Sequence, residues 1–117
     1  NTYRLAMNAE REIPALAAKT TSETAKWFSV LGNAPLREVM QTALGLPKSF
    51  SSIDIDQQVS VLKTRTEAAF GAATLSQFSD PAKMDALVRR FLLQSEMQRQ
   101  MASSSPAATA LVLLRGQ

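Results

Sequence analysis

Cysteine and histidine are both missing from this chain. Without cysteine there is no disulfide and no thiolate nucleophile. Without histidine, a hydroxyl nucleophile lacks its commonest base, and transition-metal sites lose their usual nitrogen ligand. Only carboxylates remain as metal ligands, which leaves hard cations such as calcium. No long apolar run occurs either. The longest near the end, Ala110 with Leu111, Val112, Leu113 and Leu114, is far too short to cross a bilayer. The opening residues Asn1, Thr2, Tyr3 and Arg4 have no leader-like apolar stretch, and the first residue is not Met. A fragment or trimmed product of a longer protein is therefore expected.

What is present reads as one helical domain. The chain has 117 residues, 45% apolar and 20% charged, which is ordinary globular usage. Net charge is +3, a mild excess. Nucleic-acid binders cluster Lys and Arg on one face. Here the only adjacent pair is Arg89 and Arg90, so no nucleic-acid partner is expected.

Breakers fall at regular intervals, and the apolar spacing between them is helical. Residues 2–13 carry Leu5, Ala6, Ala9 and Ile13 on one face, with an interruption or kink at Pro14. Residues 15–31 give an inner stripe of Leu16, Thr20, Trp27, Phe28 and Leu31. Gly32 and Asn33 suit a left-handed stop. A third helix starts near Pro35 and presents Leu36, Val39, Met40, Ala43 and Leu44, closed by Gly45. Phe50 anchors a loop. Asp54 caps a fourth helix bearing Ile55, Val59, Leu62, Thr66, Ala69 and Phe70, which Gly71 ends.

Leu75 and Phe78 anchor a short turn. Asp80 and Pro81 open a fifth helix with Met84, Leu87, Val88, Phe91 and Leu92 as its stripe and a polar second half. The predicted fold is all-α, a compact bundle of five or six short helices around one core. Residues 1–102 form the helical domain. Residues 103–117 form a Ser/Pro hinge and a short apolar C-terminal helix, packed on the same domain or on a partner.

Chemistry finds little footing. Asp54-Ile55-Asp56 resembles the start of a calcium loop but lacks its Gly and closing Glu, so helix capping is the simpler reading. Lys48-Ser49 are adjacent and do not face each other as a catalytic pair must. Gly45 through Ser49 lacks the glycine spacing of a phosphate loop. No catalytic site, metal or cofactor is expected. Arg89 and Arg90 lie on the flank and back of the Phe91 stripe, where an acidic partner or plain solvent would meet them. Leu111, Val112, Leu113 and Leu114 cannot all face inward on one short helix. Together these six residues are the candidate protein-contact positions, and oligomerisation through the tail is one way to use them.

One stretch carries a resemblance. Leu36-Arg37-Glu38-Val39-Met40-Gln41-Thr42-Ala43-Leu44-Gly45-Leu46-Pro47 is followed by Ser49-Phe50-Ser51-Ser52-Ile53-Asp54-Ile55-Asp56, and later by Phe78-Ser79-Asp80-Pro81. Across residues 3–92 the chain resembles a bacterial domain-of-unknown-function family, common in alphaproteobacteria and often encoded within flagellar gene clusters. Residues 66–77 look longer here than the family's pattern. The resemblance implies an all-helical fold and a flagellar association, with basal-body or export components as possible partners. It implies no catalytic or binding residue. The expected role is a flagellum-associated structural or assembly protein. The alternative is a cytoplasmic helical adaptor or regulatory module.

Overall fold

Pro14 does not end the first helix. In the computed structural model, which describes residues 2–103, α1 runs Thr2–Ala17 with Pro14 inside it. Proline removes one helical donor and frees the carbonyl four residues earlier. That carbonyl belongs to Glu10, an exposed residue. Past Pro14 the bonding resumes, with Ala18 N–H donating to the Pro14 carbonyl at 3.0 Å. The true break is the exposed stretch 18–22. Ser22 ends it as an N-cap, its hydroxyl accepting from Ala25 N–H at 3.1 Å, and α2 spans Glu23–Leu31.

That break changes the register of α2. Its buried face is Trp27, Val30 and Leu31, at the i, i+3, i+4 spacing of one helix side. Phe28 is therefore turned to the rim and is 37% exposed, and Thr20 lies exposed in the loop, against expectation.

Gly32 and Asn33 are not a left-handed stop. Gly32 has φ −78° and Asn33 has φ −114°. Asn33 begins the next helix instead: its side-chain oxygen accepts from Leu36 N–H at 3.3 Å, capping α3, Ala34–Ala43. The left-handed stops come later, at Gly45 (φ 69°) and Gly71 (φ 91°). After α3, Leu46 N–H reaches back to the Gln41 carbonyl and Gly45 N–H to that of Thr42, a Schellman closure that tucks Leu46 inward.

A 3-10 turn, Lys48–Ser52, seats Phe50 in the core before Asp54 caps α4, Ile55–Phe70. A second 3-10 turn, Ser76–Ser79, leads to α5, Pro81–Ser103. Asp80 accepts from Ala82 N–H at 3.0 Å, as its position before Pro81 predicts.

The result is the all-helical bundle the spacing predicts. Helices α1, α3 and α5 pack together, the second 3-10 turn lies against α1 and α5, and α2 links α3 to α4. Trp27, Phe78, Phe91, Ile13, Met40 and Leu62 are fully buried at the centre. Ile55 and Leu92, both assigned to inner stripes, are half-exposed. Ile55 is the first residue of its helix, and Leu92 sits on the edge of a stripe that Met84, Leu87, Val88 and Phe91 already fill.

Thr66 is a flaw within this core. It is fully buried, and its hydroxyl has no hydrogen-bond partner. A buried hydroxyl left unpaired costs on the order of 1–3 kcal/mol. Thr66→Val keeps the shape and removes the polar atom. It is expected to stabilise the fold by about 1 kcal/mol, raising the melting temperature by about 4 °C. A fall in melting temperature would show that the hydroxyl is satisfied after all.

Candidate functional site

The polar residues of this fold are largely spent on closing helices. None of α1 to α4 has a basic residue in its own last turn. Yet the final carbonyl of each accepts from a cation of another element. Lys26 Nζ donates to Ala17 at 2.9 Å, and Arg37 Nη1 to Leu31 at 3.2 Å. Arg90 Nε donates to Ala43 at 2.7 Å, and Lys83 Nζ to Phe70 at 2.6 Å. Helix C-termini carry unpaired carbonyls and partial negative charge, so a cation there is doubly favourable. Four basic side chains are thereby committed to the interior architecture. One of them, Lys26, is itself buried.

Arg90 and Arg89, singled out by the sequence as a pair, do different jobs. Arg90 closes α3. Arg89 is exposed and pairs with Asp85 at 2.9 Å along the outside of α5. Asp54 is used as a cap, accepting from Asp56 N–H at 3.2 Å. Ser103, where the hinge was expected to begin, is the last residue of α5, and the rest of the expected hinge and tail, with Leu111, Val112, Leu113 and Leu114, lies outside the described residues.

A second set of polar groups pins the segment between α4 and α5. One Glu23 carboxylate oxygen accepts from Leu75 N–H at 2.7 Å and Ser76 N–H at 3.3 Å, and the other lies 3.4 Å from Lys26 Nζ. Trp27 Nε1 donates to the Ala73 carbonyl at 3.1 Å. Gln77 Nε2 closes the loop on itself through Ala72 and Thr74, both at 2.7 Å. Pattern alone did not single out Glu23 or Gln77. Their partners are backbone groups, which sequence does not locate.

Burial works against the charge on Glu23. Hydrogen bonds from Ser76 and Leu75 and the nearby Lys26 ammonium outweigh it and hold the carboxyl below its ordinary value of 4.5. A lowered folded pKa means this contribution is complete above the unfolded value and fades as pH falls through the folded one. Glu23→Gln is expected to cost about 1 kcal/mol at pH 7. The gap to the parent should narrow once pH falls below the ordinary carboxylate value of 4.5 and the folded carboxyl begins to protonate. A gap independent of pH, read by urea unfolding at several pH values, would mean that the charge is not what pins the loop.

One cleft, about 310 Å³, lies between α1 and the start of α5, with Pro14, Phe78 and Met84 as its apolar wall and Glu10 and Asp85 beside them. It is shallow, and Asp85 is already engaged with Arg89.

The outer end of α5 is different. Beyond Phe91 none of its described side chains is buried. Leu93 is 62% exposed, Met97 48% and Met101 75%. Spaced four apart, they form one row along the helix. Leu93 lies about half a turn around the helix from Met84, so the row faces away from the core. Glu96 and Arg99 pair with each other at 3.2 Å, so this stretch carries no net charge. Among the described residues no helix is long and apolar enough to cross a membrane.

Fold and site together define a small helical-bundle domain with interlocked helix ends and one exposed apolar row along the outer half of its last helix. The chain belongs to the family described as Protein of unknown function (DUF1217), which it matches over residues 1–84. No match was found among curated proteins or among solved structures. The family portion runs from α1 to the first turn of α5, so the exposed row lies beyond it.

Proposed function

We propose that this chain is a flagellum-associated structural or assembly protein that acts through contacts with a protein partner. The observation that carries the contact is the exposed row Leu93, Met97 and Met101 on α5, with half-exposed Leu92 beside it. Apolar side chains gathered on one helix face and left in water are the usual mark of a protein-contact surface. Methionine suits such a surface because its flexible thioether adapts to varied partners. Support for the flagellar setting comes from the resemblance to a family often encoded within flagellar gene clusters.

The test is the double variant Leu93→Asp, Met97→Asp. Both positions are exposed, so the melting temperature should stay within about 2 °C of the parent. Capture of the partner from flagellated cells, and the swim ring in soft agar, should both be lost. Capture lost with a normal ring would move the function to a cytoplasmic adaptor. Capture and swimming both retained would remove α5 as the contact.

A further inference from the structure

We propose that residues 48–70, the first 3-10 turn together with α4, open as one unit while α1, α2, α3 and α5 stay packed. Apolar burial is thin there. The segment buries Phe50, Val59, Leu62 and Phe70. Helix α3 buries as many apolar side chains, Leu36, Val39, Met40 and Ala43, in its 10 residues. The other buried positions of α4 are polar: Gln58, and Thr66 with its unpaired hydroxyl. Opening returns that hydroxyl to water and relieves the cost of burying it. Helix α4 packs closely against α2, whereas α1, α3 and α5 all pack on one another. A segment that buries little apolar surface opens more readily than the fold as a whole.

The same segment is joined to itself and hinged at its ends. Gln58 Nε2 donates to the carbonyls of Ser51 at 3.3 Å and Ile53 at 2.9 Å, which binds the turn to the helix. Gly45 and Gly71 flank it, and among the described residues they alone have positive φ. Open space surrounds Gly71 where a side chain would stand. Glycine changes backbone conformation at little steric cost, so the chain can swing at both points.

Two lysines fasten the segment to its neighbours. Lys63 Nζ donates to the Thr24 hydroxyl of α2 at 2.9 Å, an exposed bond. Lys83 Nζ of α5 donates to the Phe70 carbonyl at 2.6 Å, beside the contact between the Phe70 and Phe78 rings. Lys83 is the latch: its ammonium leaves that carbonyl when α4 swings out. The open form uncovers Val59, Leu62 and Phe70, an apolar face separate from the row on α5.

The inference concerns the free chain and does not rest on the proposed function. Amide hydrogen exchange of the whole chain, read residue by residue by NMR, tests it. In the parent, the amides of α4 are expected to exchange at least about tenfold faster than the slowest of α1, α3 and α5. Ala9→Gly weakens the middle of α1, which stays in place when α4 opens. It is expected to speed exchange in α1, α3 and α5 about fivefold and to leave α4 unchanged. Lys83→Met keeps the stem, removes the donor, and is expected to speed exchange in α4 about tenfold. If α4 responds to Ala9→Gly as the other helices do, it opens only when the whole bundle unfolds, and the proposal fails. If Lys83→Met leaves α4 unchanged, the latch does not part on opening, and the proposal fails as well.

Discussion

Phe78→Ala is expected to cost about 4 kcal/mol, the largest loss of any single truncation considered for this fold. Phe78 is fully buried although it belongs to a turn of only a few residues, Ser76–Ser79. Its ring meets that of Phe70 edge-on, with centroids 5.2 Å apart and planes at 86°. Such pairs add about 0.5–1.5 kcal/mol beyond the area they bury. The ring also stands between α1 and α5, because the turn that carries it packs against both. Removing it leaves a cavity that three separate elements would have to move to fill.

Phe28→Ala is the matched control. Phe28 is the same residue type, is 37% exposed, and should cost about 1 kcal/mol when truncated. Urea unfolding with Trp27 fluorescence reads both variants. Equal losses at the two positions would show that the turn only covers the bundle and does not anchor it.

The second large effect separates two adjacent arginines. Arg90→Ala is expected to destabilise by about 2 kcal/mol, and Arg89→Ala hardly at all. Arg90 Nε donates at 2.7 Å to the carbonyl of Ala43, itself a fully buried residue. Truncation would strip that carbonyl of a charged donor at the negative end of α3. Arg89 exchanges one exposed ion pair for water, which is worth little. Arg90→Lys gives a further check. It keeps the charge but changes the donor geometry, so recovery of about half the loss is expected. Equal effects at positions 89 and 90 would show that closing α3 does not depend on the guanidinium.

The legible parts of this fold were those fixed by local chemistry. Gly45 and Gly71 stop helices because their backbone takes the left-handed conformation that only glycine adopts freely. Asp54 and Asp80 cap because their carboxylates reach free N–H groups two residues on. The stripe Met84, Leu87, Val88 and Phe91 was legible because its period is strict. The errors have local causes too. Pro14 reads as a breaker, but near a helix end it costs one bond that an exposed carbonyl can replace with water. Ser22 was a cap in plain view, hidden by an apparently continuous pattern on either side. Gly32 misled because glycine is also tolerated in an ordinary right-handed turn.

The candidate site was only half legible. Sequence placed Arg89 and Arg90 side by side but could not say that one is turned inward to Ala43 and the other outward to Asp85. The second half of α5 read as a polar stretch in which Met97 and Met101 keep some apolar character, and as a candidate contact surface. Leu93, Met97 and Met101 emerge as an uncovered row only once the opposite face of α5 is known to lie against α1 and α3.

The borrowed helix closures bear on how the chain is made. In every case the cation lies later in the sequence than the carbonyl it closes: nine residues later for Ala17, six for Leu31, 13 for Phe70 and 47 for Ala43. A polypeptide leaving the ribosome N-terminus first can finish α1 and α2 almost as they appear. The end of α3 must wait until Arg90 has left the ribosome, by which time α4 and the start of α5 have emerged too. One helix end of the nascent bundle therefore stays without its closing cation while the 47 residues after Ala43 are made, and it can shut only once Arg90 is clear of the ribosome.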